Sequence, residues 1–61
     1  MATYEQMIEN LADWREVDIE FNQNTDRSSG YADAIADMFG KDKSGVIDDM
    51  CAVLKKRQGR Q

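Results

Sequence analysis

Apolar residues recur along the first third of the chain at Tyr4, Met7, Ile8, Leu11 and Trp14. Intervals of three and four draw a single stripe along an α-helix. Thr3 stands just before the stripe. Its hydroxyl suits an N-cap, and Gln6, three positions on, can complete a weak capping box. After Trp14 the pattern loosens. Val17, Ile19 and Phe21 alternate with Glu16, Asp18 and Glu20, which is a strand period, and Asp18 falls on the apolar side of the helix. A lone extended segment would have no strand to pair with. The adopted reading is one helix from about Thr3 to about Phe21. Its alternative is a helix ending near Glu16, followed by a short extended piece.

Asn22 to Gly30 reads as a loop, because Asn, Asp, Ser and Thr side chains compete with the backbone for its own hydrogen bonds. A second helix is predicted over about Tyr31 to Phe39. Tyr31, Ile35 and Met38 or Phe39 face inward with Ala34 between them, and Asp33 lies in the favourable first turn. Gly40 is a natural stop, and Gly40 to Gly45 forms a tight connection. Asp42 or Ser44 can cap a third helix that runs to about Arg57, with Val46, Ile47, Met50, Cys51, Val53 and Leu54 on its buried face. Trp14 is expected as a core anchor, Cys51 as an inert core thiol, and Met7, Met38 and Met50 as core fillers. Residues 58–61 are expected to fray. The fold expected is all-α, one small domain over residues 1–61. It is a bundle of three short helices, or four if the first breaks near residues 16–22.

Composition narrows the chemistry. A chain of 61 residues with no His and one Cys lacks the commonest general base and cannot form an internal disulfide or a cysteine zinc site. No Asp-x-Asp-x-Asp-Gly run suggests a calcium loop, and the carboxylates fall in solvated rows rather than in an apolar cleft that would shift their pKa. The expectation is a non-enzymatic protein with no metal and no cofactor. No apolar run reaches the roughly 20 residues of a membrane span, and residues 1–14 do not resemble a signal peptide. A cytoplasmic protein is therefore expected.

Charge is distributed unevenly. Twelve acids against eight bases give a net of −4. Lys55, Lys56, Arg57 and Arg60 gather near the C-terminus, so the body is far more acidic than the whole. Glu5, Glu9, Asp13, Glu16 and Glu20 are spaced 4, 4, 3 and 4 apart. On a helix they share an arc of about 80° and climb about 6 Å per step. That rise is broadly comparable with the path between neighbouring phosphates, whose axial rise is roughly 3.4 Å per nucleotide. Like charges at this spacing repel by a few tenths of a kcal/mol each, and no interleaved lysine relieves them. Such a row suits docking on a Lys/Arg groove built for DNA. Asp33 and Asp37 form a second acidic pair on the next helix.

Two resemblances bear on function. Ala36, Gly40 and Val46, within Ile35-Ala36-Asp37-Met38-Phe39-Gly40-Lys41-Asp42-Lys43-Ser44-Gly45-Val46, resemble the helix-turn-helix pattern of phage repressors. That likeness implies a small DNA-binding transcriptional regulator using Lys41 and Lys43. Asp48 and Asp49 would meet DNA with the wrong charge, and the acidic body lacks a basic footprint. Thr3-Tyr4-Glu5-Gln6, Glu9, Trp14 and Glu16 resemble the opening of a small helical type I anti-CRISPR domain, over residues 3–16. This second likeness implies an inhibitor of a bacterial CRISPR effector. It would act in the cytoplasm of the host cell as an acidic DNA mimic that occupies the basic surface where a Cascade complex recognises target DNA. Direct nucleic-acid binding is then not expected. The residues expected to make the contact are Glu5, Glu9, Asp13, Glu16, Glu20, Asp33 and Asp37.

Overall fold

The computed structural model describes residues 2–22 and 24–59. The chain is all-α: helix α1 spans Tyr4–Val17, helix α2 Asp26–Phe39 and helix α3 Lys43–Gln58, and among the described residues there is no strand. Each helix packs on the other two. Arg60 and Gln61, where fraying was expected, lie outside the described residues, whereas Gln58 is still helical.

Helix α1 begins as its sequence predicts. Thr3 Oγ1 accepts from Gln6 N at 3.1 Å, and Gln6 Oε1 accepts from Thr3 N at 3.0 Å, which closes the capping box. Its far end stays helical past Phe21, as the continuous reading expects and the extended alternative does not, but it changes its winding. After Val17 the backbone widens into one π turn, Asp18–Asn22. Asp18 supplies the physical reason. It lies on the core side of the helix and is fully buried, a position that costs several kcal/mol unless the charge is paired and hydrogen-bonded. Asp18 Oδ2 accepts from Ser28 N at 2.9 Å, and Oδ1 meets Arg27 at 3.2 Å through Nε and 3.0 Å through Nη2.

Those bonds explain the largest correction. Residues 26–30, read as part of a loop, form the first turn of α2, and Asp33 is consequently interior to that helix. The N-cap residue, Thr25, makes no side-chain capping bond. Asp18 caps α2 from across the chain instead, placing a carboxylate against free N–H groups at the positive end of the helix dipole. Ser28 Oγ donates to Thr25 O at 3.2 Å, and Asn24 Oδ1 accepts from Asp26 N at 3.3 Å. A tertiary cap thus overrides a locally helix-averse composition.

At its other end α2 stops as predicted. Gly40 adopts φ 63° and ψ 36°, the left-handed conformation that favours glycine, and Lys41 N bonds back to Ala36 O at 2.9 Å. Helix α3 then starts after Asp42, whose side chain makes no capping bond.

The core is thin. Ile8, Leu11 and Ala12 of α1, Ala32, Ile35 and Ala36 of α2, and Val46 and Met50 of α3 are buried, with Tyr4, Met7, Tyr31, Ile47, Val53 and Leu54 partly covering them. Four residues expected inside lie outside. Cys51 and Ala34 are exposed, Met38 is largely exposed, and Trp14 is exposed along one side. Each helix of a three-helix domain meets only two neighbours, so the buried arc is narrower than the apolar stripe. On α3 the arc reaches Val46, Met50 and Val53 and stops short of Cys51. Phe39 stays at the surface with its ring edge-on to Tyr4, centroids 5.3 Å apart.

The Asp18 cap has a measurable worth. Asp18→Ala removes a helix cap and a charge-assisted hydrogen bond, together about 2–3 kcal/mol. A domain of this size holds roughly 3–9 kcal/mol in total. Urea unfolding followed by circular dichroism is expected to show that loss, with faster hydrogen exchange at the Ser28 and Ser29 amides. Glu20→Ala, on the exposed side of the same turn, is expected to stay within about 0.5 kcal/mol.

Candidate functional site

The acidic row is real as a surface feature. Glu5, Glu9, Asp13, Glu16 and Glu20 are all exposed, four on α1 and Glu20 on the π turn. Because the wide turn continues the helical path, the row does not end with α1. It runs along the seam between α1 and α3, where a series of open clefts follows it. One cleft joins Tyr4, Glu5 and Glu9 to Asp49 and Val53. The next joins Glu9 to Val53, Lys56 and Arg57. The last joins Glu16, Ile19 and Glu20 to Leu54 and Arg57.

Arg57 corrects the expectation that the repulsion in this row goes unrelieved. Its guanidinium reaches across from the last turn of α3 and holds three of the five carboxylates. Nη1 lies 2.9 Å from Asp13 Oδ1 and 2.9 Å from Glu16 Oε1, and Nη2 lies 3.3 Å from Glu9 Oε2. The planar fork of donors fits this arrangement in a way a lysine could not. The hydrogen bond to Glu16, and after it Asp13, raises the Arg57 pKa above its already high ordinary value, while burial opposes the rise. Glu5 and Glu20, at the two ends of the row, make no ion pair among the described residues. Each pair is solvent-exposed, so its net contribution to stability is small, about 0–1 kcal/mol.

Asp33 and Asp37 do not join this row. Asp33 pairs with Lys43 Nζ at 3.2 Å, at the first residue of α3, whereas the Arg57 clamp lies near the last. The two sites are about 20 Å apart along that helix. Asp37 is exposed one turn beyond Asp33.

Sequence reasoning missed two participants. Arg57 was read only as one of the basic residues of the C-terminal segment, although its charge sign against the row was the available signal. From sequence, Asp49 counts only as a charge of the wrong sign for DNA. It accepts a hydrogen bond from the Tyr4 hydroxyl and brings another carboxylate beside Glu5.

The helix pair α2–Gly40–α3 has the packing its pattern implies, with Ala36 and Val46 both buried. Its two lysines, however, are engaged within the chain. Lys43 Nζ also donates to Ser29 Oγ at 2.8 Å, and Lys41 Nζ sits 4.4 Å from the centre of the Tyr4 ring. Among the described residues no group of three or more acidic or Cys side chains is placed to hold a metal ion, and no helix is long and apolar enough to cross a membrane.

No family model, no curated protein and no solved structure matches this chain.

The Tyr4–Asp49 contact gives this end of the row a spectroscopic handle. Partial burial first, then the hydrogen bond and the charge of Asp49, push the Tyr4 hydroxyl up to about 12 from an ordinary value of 10.0. A raised folded-state pKa means the contact's stabilisation is complete below pH 10 and is lost as pH climbs from there through 12. In a Tyr31→Phe variant, tyrosinate absorbance is expected to show a midpoint near 12. Adding Asp49→Asn is expected to lower that midpoint toward the ordinary value.

Proposed function

We propose that this chain is a non-enzymatic anti-CRISPR inhibitor, an acidic DNA mimic that docks on the basic surface where a type I Cascade complex recognises target DNA. The observation that carries the reading is the unbroken exposed row from Glu5 to Glu20 along the α1–α3 seam. The resemblance of residues 3–16 to a type I anti-CRISPR opening supports it as well, and shares Glu5, Glu9 and Glu16 with the row. A helical carboxylate row presents charges at about 6 Å intervals on a rigid rod, a reasonable substitute for a phosphate strand. Attraction to a Lys/Arg groove speeds encounter, and charge-assisted hydrogen bonds to arginine hold the docked state. In this reading Arg57 is an internal counter-ion. It keeps Glu9, Asp13 and Glu16 aligned in the free protein and reduces the charge the row presents.

A second reading is a small helix-turn-helix regulator, favoured by the buried Ala36 and Val46 on either side of Gly40. It predicts a shift of duplex DNA by the chain alone.

One titration separates them. Purified chain is added to a purified type I Cascade with labelled target duplex, and in parallel to the duplex alone. Loss of the Cascade–DNA complex without any direct duplex shift is the outcome expected of the mimic. Glu5→Lys with Glu20→Lys leaves the Arg57 clamp untouched and is expected to raise the half-inhibiting concentration at least about tenfold. Arg57→Gln removes the counter-ion of three exposed carboxylates and is expected to lower it. An unchanged titration in both variants removes the row as the contact surface, and a duplex shift by the chain alone favours the regulator.

A further inference from the structure

Beside the acidic row lies a second strip of different chemistry. Trp14, Val17 and Phe21 follow one another at i, i+3 and i+7, one line along a helix. Their exposures are 42%, 41% and 73%, high for large apolar side chains in a protein whose core is so short of them. The Trp14 ring has two neighbours, one aromatic and one cationic. Its ring lies 5.7 Å from that of Tyr31, and the Arg27 guanidinium sits 4.4 Å over it. Arg27 is itself held by Asp18. Trp14, Val17 and Arg27 share an open cleft with Asp13, a member of the acidic row. The outward side of α1 and its π turn therefore carries carboxylates along one line and exposed apolar side chains along the next.

We infer that this strip is the apolar half of a docking surface, and that its occupant is a protein presenting an apolar face bordered by arginine or lysine. The inference deepens the proposed role of the acidic row and rests on that row as the charged half of the contact. Two arguments select the occupant. The strip exposes on the order of 300 Å² of apolar surface, well short of the roughly 800 Å² per partner that a stable interface covers. A complete footprint must extend over neighbouring residues, and those include Asp13, while the cation on the strip's border, Arg27, is already paired with Asp18. A second copy of this chain would then lay one acidic row against another at close range, whereas a basic surface is complementary to it. Nucleic acid is disfavoured by the same charge and offers no such face. Aromatic side chains anchored in this way, fixed in position and rimmed by polar groups, have the character of binding hot spots.

Trp14 is the single tryptophan of the chain, so its fluorescence reports directly on the strip. The probe is a synthetic helical peptide with one leucine stripe flanked by arginines, titrated against the full chain. The expected result is a saturable blue shift of Trp14 emission. Val17→Ser with Phe21→Ser is expected to weaken peptide binding at least tenfold while leaving the circular dichroism spectrum unchanged. Replacing the peptide's arginines by glutamine, or its leucines by serine, is each expected to weaken binding comparably. Absence of a blue shift, or equal affinity for the serine variant, overturns the inference. So does a concentration-dependent dimer in sedimentation that Phe21→Ser abolishes, since the occupant would then be a second copy. If the peptide binds as expected while Cascade is not inhibited, the docking surface stands and the anti-CRISPR reading falls. If Cascade is inhibited and the serine variant inhibits equally well, the acidic row stands and the strip falls.

Discussion

The carboxylate of Asp18 is fully buried between the end of α1 and the start of α2, bonded to Ser28 N and to Arg27. A buried charge is affordable only with such partners, and here the partners are the first turn of another helix. The geometry runs both ways. The π turn provides the extra residue that lets a helical path continue while Asp18 turns inward, and the carboxylate in turn allows α2 to begin at Asp26. Arg27, drawn to Asp18, lies over Trp14 and fixes one face of its ring. The outward positions of the same turn carry Glu20 and Phe21, which extend the acidic row and the apolar strip. The far end of each surface feature, Glu20 in one and Phe21 in the other, therefore lies on the turn that Asp18 anchors.

What the sequence disclosed and what it concealed follow from the range of the forces involved. The start of α1 was legible because Thr3 and Gln6 satisfy each other within four residues. The stop at Gly40 was legible because only a left-handed residue completes that turn comfortably. Ile8, Leu11, Ile35, Val46 and Met50 were legible as core from their periodicity. The start of α2 was not, because its cap comes from Asp18, ten positions before the amide it bonds. The anomaly itself was visible: Asp18 on an apolar face marks a charge that must find a partner. Trp14 and Cys51 were misplaced for a different reason. Periodicity assigns a face to the core but does not say how wide an arc two neighbouring helices can cover.

The acidic row shows the same division. Its five members could be placed on one face from spacing alone. Its counter-ion could not, since Arg57 lies 41 residues beyond Glu16 in the chain. Arg57 alters the character of the row without removing it. A guanidinium shared by three carboxylates lowers their mutual repulsion and fixes their positions in the free chain. The ends of the row, Glu5 and Glu20, lie outside the Arg57 clamp.

Solubility explains why the two strips lie side by side. A domain of 61 residues has few buried positions, so a rigid tryptophan and a phenylalanine left outside are a hazard for self-association. The row of carboxylates beside them opposes that association, since two copies cannot close over the apolar strip without bringing their acids together. In the proposed reading, the charges that would draw in a basic surface are the same ones that oppose self-association through the apolar strip. Specificity in such a surface needs no cleft: the apolar residues favour a close fit, and the acids reject every partner of the wrong sign.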